Sequence, residues 1–435
     1  MAHYLFSITK KSQDTTANLT ELSLICNGFE VKSVETAGII VEYNPVHSGH
    51  VWQIDQTRRA LGEDTAIVCC MSGCWVQSAA PAIADKWLRA RLAVLGGADL
   101  VLELPTMWAV SSAETFAMGG VSLLAATGVV NHLSFGSECG EIEGLQAVAK
   151  CLNSEEYAAE LRRFLDRGLP FAVCRQAAVT ELAGPELGAL LETPNNNLGI
   201  EYLRAVLRLG ADLRPMTVRR EGAGYHDAAA PQGSRFISAT QARRWMAGGE
   251  WEKAACYLIP GERELLQSAE LALPPFSALA ERAFLARLRT MTAADWAELP
   301  DSAPDEGLPD RLARAGRQSL SLEEFYELAK TKRYPHARLR RLALWAFLGL
   351  RAQDRPKTPP YLRVLAAGER GRVLLRKMRE TAILPVLTKP AHARRLEEAC
   401  RRSLELEARC TDLYGLCLPR IPPGGREWRE GPAIL

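Results

Sequence analysis

An α/β fold on a parallel sheet, followed by a mainly α-helical C-terminal region, is what the 435-residue sequence predicts. Three observations carry that expectation. Short apolar, β-branched runs alternate four times with amphipathic helical segments between Gly38 and Ser137. The runs are apolar throughout instead of alternating with polar residues, as strands buried on both faces are. After about residue 250 the pattern becomes helix upon helix.

The elements follow in order. Residues 1–37 are polar and lack periodicity, and they read as an extension outside the fold. The strand runs are GIIVEY, TAIVCCM, DLVLEL and HLSFGS. The helices between them are VWQIDQTRRAL, DKWLRARLAVLGG and SAETFAMGGVSLLAA. Helical segments follow near 154–182 and 197–209, then a strand at 212–220, a Gly/Ala/Pro loop at 221–235 and a helix opening at Ser238. Pro/Asp/Glu-rich breaks fall at 299–310 and 354–360, and the last 19 residues read as a non-helical tail. Two parts are therefore expected, an α/β domain over 38–250 and a helical region over 251–435.

Composition narrows the function. With 53 Lys+Arg, 51 Asp+Glu and 47% apolar residues the chain is an ordinary globular protein. Eleven Cys include no CxxC pair, so a structural zinc site is not expected. No run approaches a membrane span, and a cytoplasmic protein with reduced thiols is the expectation. Residues 330–435 carry 24 Lys+Arg against 10 Asp+Glu, while the preceding residues carry 29 against 41. A basic module on an acidic body points to a polyanionic partner or to a solvated charged face.

The most informative stretch is GIIVEYNPVHSGH, Gly38 to His50. A strand ends at Tyr43, Asn44-Pro45 turns the chain, and His47 and His50 fall over the first turn of a helix. Free backbone N–H groups and the helix dipole favour phosphate there. The histidines are placed to stabilise charge at an attacked α-phosphorus, and Gly49 permits close approach of a ligand. A second stretch reads I-S-A-T-x-x-R, in which Ser238, Thr240 and Arg243 bring hydroxyls and a guanidinium to another helix start, suited to β- and γ-phosphates. Neither GxxxxGK[ST] nor a GxGxxG after a strand is present.

This pair of motifs resembles the HxGH nucleotidylyltransferase superfamily. The ordered stretches MSGCWVQ, PAIADKW, DLVLELP, SAETFA, LSFGSE, PNNNLGIEYL, GYHD, SATQAR, KTKRY and YLRVL resemble one family in particular, the bacterial tRNA(Met) cytidine acetate ligases. The resemblance implies a Rossmann-like nucleotidylyltransferase domain and an enzyme that activates acetate with ATP to acetyl-adenylate. The acetyl group then passes to N4 of the wobble cytidine of elongator tRNA(Met), giving N4-acetylcytidine. It implies catalytic roles for His47 and His50. ATP contacts are implied at Ile40, Val41, Glu42, Tyr43, Asn44, Pro45, Val46, His47, Ser48, Gly49, His50, Val51, Trp52 and Gln53, and further at Gly136, Asn195 and Arg220, with Ser238, Thr240 and Arg243 completing the phosphate site. ATP is the substrate, with Mg²⁺ carried on its phosphates and no metal cluster in the protein. Asn195 also suits a helix N-cap, and Arg220 a solvated strand end.

The dense cations Lys330, Lys332, Arg333, Arg338, Arg340 and Arg341 are the expected tRNA contacts, with the neighbouring Leu, Trp and Phe packing inward. One departure stands out. Ser78-Ala79-Ala80 replaces the Arg-Gly-Glu of the family's loop after the second strand, leaving Lys86 and Arg89 as the cations available nearby. Two other readings stay open at this point: an HxGH adenylyltransferase acting on a small metabolite, and a catalytically decayed RNA-binding relative.

Overall fold

The computed structural model describes residues 35–220, 235–274 and 276–435. Residues 1–34 of the expected 1–37 extension, most of the 221–235 loop and the GYHD stretch lie outside the described residues. Residues 35–435 form one compact unit.

Five strands make the parallel centre: β1 (Thr36–Val41), β2 (Ala66–Ser72), β3 (Leu100–Leu104), β4 (His132–Ser137) and β5 (Arg214–Arg219). Their order is β3-β2-β1-β4-β5, all parallel. Helices α1 (Ser48–Leu61), α2 (Lys86–Leu95) and α3 (Ala113–Ala126) connect the first four, and α4 (Pro194–Leu209) leads into β5. The predicted α/β class and its four alternating units are thus present, with β1 starting at Thr36, two residues earlier than expected.

Alternate residues of these strands enter two separate cores. Ile40, Val68, Cys70, Leu100 and Leu102 face one side, and Ile39, Val41, Ile67, Cys69, Met71 and Val101 face the other. Successive side chains of a strand point to opposite faces, so a sheet covered by helices on both sides needs uninterrupted apolar runs. That is the physical origin of the runs seen in the sequence.

The C-terminal region contributes to this same sheet. Strand β6 (Leu362–Ala367) pairs antiparallel with β3, and β7 (Ala433–Ile434) pairs parallel with β6. The sequence reading had neither strand. Most other elements after residue 250 are helices, among them α5 (His336–Leu348), α6 (Glu369–Thr381) and α7 (Glu398–Tyr414). Among the described residues no helix is long and apolar enough to cross a membrane.

A two-stranded hairpin, Trp75–Val76 with Ala80–Pro81, follows β2 and contains the departure noted above. The Ala79 N–H donates to the Val76 carbonyl (2.9 Å), and Ala79 sits at φ 59°, in the left-handed region. Hairpins of this kind normally place glycine there, and an L side chain costs roughly 1–2 kcal/mol at that φ. The glycine that the resemblance implies at this position would meet that φ without strain, and Ala79 does not. Ala79→Gly is expected to raise unfolding free energy by about 1 kcal/mol in urea titrations. A loss of stability would show that the turn is not strained.

Candidate nucleotide site

The HxGH turn leaves the carboxyl end of β1, whose neighbours β2 and β4 lie on its two sides. Crevices at such switch points are where open α/β sheets bind ligands. Here a cleft opens, lined by His47, Gly49, His50, Trp52 and Gln53, by Gly136 at the end of β4, by Val218, Arg219 and Arg220 at the end of β5, and by Phe236 and Ile237.

His47 is the N-cap of α1. Its Nδ1 accepts from the Gly49 N–H (3.1 Å), and Nδ1 of His50 accepts from the His47 N–H (3.2 Å), a reciprocal capping arrangement made by two imidazoles. The rings stack with centroids 3.7 Å apart. With both Nδ1 atoms accepting, each neutral ring carries its proton on Nε2, a tautomer assigned from this hydrogen-bond network. Burial first, then the Arg220 and Arg243 cations, pushes the His47 pKa down to about 3. Burial, His47 and Arg220 hold His50 well below the usual imidazole range. The turn thus presents two neutral N–H donors at the cleft wall.

Gly49 has a reason in the protein itself. A Cβ there would lie 3.0 Å from Cε1 of His47, so a side chain would displace the capping ring. Gly136 is alike: a Cβ would meet Cγ of Arg220 at 3.2 Å, so the missing side chain makes room for the Arg220 stem that crosses it. The close approach inferred from the sequence at both positions is first of all an approach of protein to protein.

Ser238 caps helix α(239–247), its Oγ accepting from the Gln241 N–H (3.2 Å). Arg243 donates to Oγ1 of Thr240 (3.1 Å) and, across 199 residues, to the Asn44 carbonyl (2.5 Å). The two phosphate motifs are therefore joined by this guanidinium, and Arg243 and Arg220 bring positive charge to the histidines. Asn195 is placed differently. Its side chain and backbone N–H both donate to Glu138 Oε1 (2.7 and 3.1 Å), and the Asn196 N–H donates to Oε2 (2.7 Å). Glu138 thus caps the start of α4, and Asn195 is not among the residues lining the cleft.

Trp52 and Phe236 add an aromatic wall, ring centroids 5.9 Å apart, with the Arg235 guanidinium 4.4 Å from the Trp52 centroid. Neither Phe236 nor Arg235 was singled out from the sequence, although both immediately precede the ISATxxR stretch. Among the described residues no group of three or more His, Cys, Asp or Glu is arranged to hold a metal ion.

Lys86 and Arg89 are not the available cations the sequence suggested. Both are fully buried. Arg89 donates to the carbonyls of Ala84 (3.0 Å), Glu42 (2.5 Å), Ser72 (2.9 Å) and Gly73, lashing together the carboxyl ends of β1 and β2. Lys86 is enclosed by Glu103 (2.6 Å) and Glu427 (2.5 Å). Glu42 Oε1 accepts the Gln77 N–H (2.7 Å), tying the hairpin to the end of β1.

Of the six cations expected to meet RNA, Lys330, Lys332, Arg333 and Arg340 are exposed. Arg338 donates to the Asp301 carbonyl, and Arg341 is partly buried. A second basic face, not singled out from the sequence, lies on α6 and beyond: Arg372, Arg376, Lys377, Arg379, Arg394 and Arg395 are exposed.

A family model of the HIGH nucleotidyl transferases matches residues 34–425. The chain is 33% identical over 396 residues to the tRNA(Met) cytidine acetate ligase of Clostridium botulinum strain Langeland, covering 88% of this chain and 94% of that one. It is 32% identical over 415 residues to the enzyme of the same name from Syntrophomonas wolfei, covering 91% and 98%. Thermotoga maritima TmcAL bound with alpha-thio ATP superposes with a TM-score of 0.83 at 30% identity, over 92% of this chain and 99% of that one. Its apo form gives 0.85 at 31%. The ordered motifs, the parallel sheet with HxGH at its switch point and these matches over nearly the whole length agree, and the chain belongs to the HIGH nucleotidyl transferases, in the family of the tRNA(Met) cytidine acetate ligases.

Proposed function

We propose that this protein is an ATP-dependent ligase that joins acetate to tRNA(Met). An acetate oxygen attacks the α-phosphorus of ATP, pyrophosphate leaves, and acetyl-adenylate remains in the cleft. The N4 amine of the wobble cytidine of elongator tRNA(Met) then attacks the acetyl carbonyl, and AMP leaves. The observation that carries this reading is the pair of neutral imidazole N–H donors at the cleft wall, joined through Arg243 to the ISATxxR helix. Such preorganised donors stabilise charge that grows on a phosphoryl group without reorganising. Gly136, Arg220, Ser238 and Thr240 belong to the ATP site in this reading, whereas Asn195 acts by holding Glu138. Mg²⁺ rides on the nucleotide phosphates. The cytoplasm, where tRNA is charged and used, is its place of work.

Helix α5, which carries Arg338, Arg340 and Arg341, packs at Trp345 near the carboxyl edge of the sheet, the edge that carries the HxGH turn. Trp345 Nε1 of α5 donates to the Val110 carbonyl (2.7 Å), and Arg355 donates to Ser111 (2.8 Å), both shortly after the carboxyl end of β3. Two strand spacings, about 10 Å, separate β3 from β1. Helix α6 instead ends against the start of β4, where the Ile383 N–H donates to the Ala126 carbonyl (3.0 Å). We therefore assign the 330–341 cations to the anticodon arm.

Incubation with ATP and labelled acetate, with and without tRNA, tests the reading. Labelled acetyl-adenylate without tRNA, and labelled tRNA(Met) with it, are expected. ATP use with a phosphorylated metabolite alone would favour the small-molecule adenylyltransferase, and tRNA binding with no ATP use the decayed relative. Reversing the exposed Lys332, Arg333 and Arg340 to Glu is expected to reduce the slope of log K for tRNA against log salt by roughly 2 to 3. Acetate activation should persist, and an unchanged slope would return these cations to a solvated face.

A further inference from the structure

We propose that Glu262 is a positioning residue that holds the HxGH turn in register for the triphosphate. The inference rests on the reading of that turn as the ATP site. Glu262 is 0% exposed, and it touches no residue of the cleft wall through its own chemistry. Its Oε2 accepts the N–H of Ile259 (3.1 Å), and the N–H of Val46, the residue before His47, faces the same carboxyl group. Oε1 is buried with no hydrogen-bond partner among the described residues.

The same segment grips the other side of His47. The Ser48 N–H donates to the Tyr257 carbonyl (2.8 Å). Residue 48 is bonded to the 257–262 stretch and residue 46 faces it, so His47 is bracketed between them. The apolar surroundings fix the stretch: Val46, Ile259, Leu266 and Ala254 share one core with Ile39 and Val41 of β1. His47 must cap α1 and present Nε2 at once, so a shift of the turn of a few tenths of an ångström would disturb both. Positioning of this kind is set by supporting groups, not by the catalytic residue alone.

The protonation of Glu262 gives a readout that a merely structural side chain would not. Burial first, opposed by the Ile259 and Val46 amides, pushes its pKa up to about 8. The charged groups of the adjoining helices are taken up among themselves, Arg263 with Glu252 and Lys253 with Glu250, while Glu264 is exposed. On the HxGH turn the titratable neighbours, His47 and His50, stay neutral. Glu262 is thus protonated at neutral pH and ionises as pH rises through about 8, placing a negative charge behind the turn that must receive the triphosphate.

Steady-state acetate activation, followed by pyrophosphate release, tests this with Glu262→Ala and Glu262→Gln. At pH 7 Glu262→Ala is expected to raise KM for ATP about tenfold, and Glu262→Gln, which keeps an acceptor for the Ile259 amide, to stay within about twofold of the native protein. Between pH 7 and 9 the native KM should rise while that of Glu262→Gln stays flat. If Glu262→Ala fails to fold, judged by thermal melting, the Gln comparison alone decides. Equal pH profiles for the native protein and Glu262→Gln, or a Gln variant as impaired as Ala at pH 7, would overturn the proposal. A native protein that releases no pyrophosphate with acetate would instead overturn the reading of the function.

Discussion

His50→Ala is expected to lower acetyl-adenylate formation by about a hundredfold or more, the scale for removing one preorganised donor from a developing charge. His47→Ala should lose as much rate and, in addition, about 1 kcal/mol of stability, because its ring also caps α1. Single-turnover adenylate formation measures the first effect and urea unfolding the second. A folded His50→Ala protein with near-native adenylate formation would remove the imidazole from the mechanism. Losing the second ring should not rescue the first, since each orients the other through the His47 N–H and the 3.7 Å stack.

The pH dependence follows with its sign. In the fold His47 has a pKa of about 3, below its ordinary 6.5, and His50 is shifted the same way. The donors are neutral throughout the physiological range, so kcat/KM for ATP should show no step near pH 6.5 from these rings. Stability behaves otherwise. The unfolded chain takes up protons on these histidines below about pH 6.5 while the fold does not, so stability should fall as pH drops from there toward 3. A rate step near 6.5 that vanishes in His50→Ala would mean that the ring works as a cation.

The parts of this architecture legible in the sequence are those written in local pattern. Four strands with continuous apolar runs, the HxGH turn at the first of them and a capped helix at Ser238 all appear where expected, because each is set by a few consecutive residues. The strand Leu362–Ala367 was not legible. It carries Arg363, fully buried, whose partner Glu427 lies 64 residues away, and a lone arginine in an apolar run does not announce a distant carboxylate. The partner of Asn195 was not legible for a related reason, since its amide answers Glu138, 57 residues earlier. Gly49 and Gly136 were recognised as places needing space, but the neighbour that fills the space is a side chain of the protein.

Lys86 was the residue least readable from its surroundings in the sequence, and its replacement is expected to have the largest effect on stability. It follows Asp85 at the start of α2, where a solvated position is ordinary, yet its Nζ is fully buried between Glu103 of β3 and Glu427 near the C-terminus. Arg363 lies 3.4 Å from Glu427, and Glu407 of α7 accepts the N–H and Oγ1 of Thr106 (both 2.7 Å). Three carboxyl groups thus share two cations. Burial alone would lower the Lys86 pKa, but Glu103, Glu427 and Glu407 outweigh it, and the ammonium stays charged. Burial pushes both Glu103 and Glu407 up, opposed by Lys86. Lys86→Met leaves Glu103 buried without its cation and Glu427 with Arg363 alone, and breaking a buried pair from one side costs about 3–5 kcal/mol. Urea unfolding should show that loss, and the double variant Lys86→Met/Glu427→Gln should recover part of it, because the two changes are coupled. A single variant within about 1 kcal/mol of the native protein would mean that the carboxyl groups are neutral.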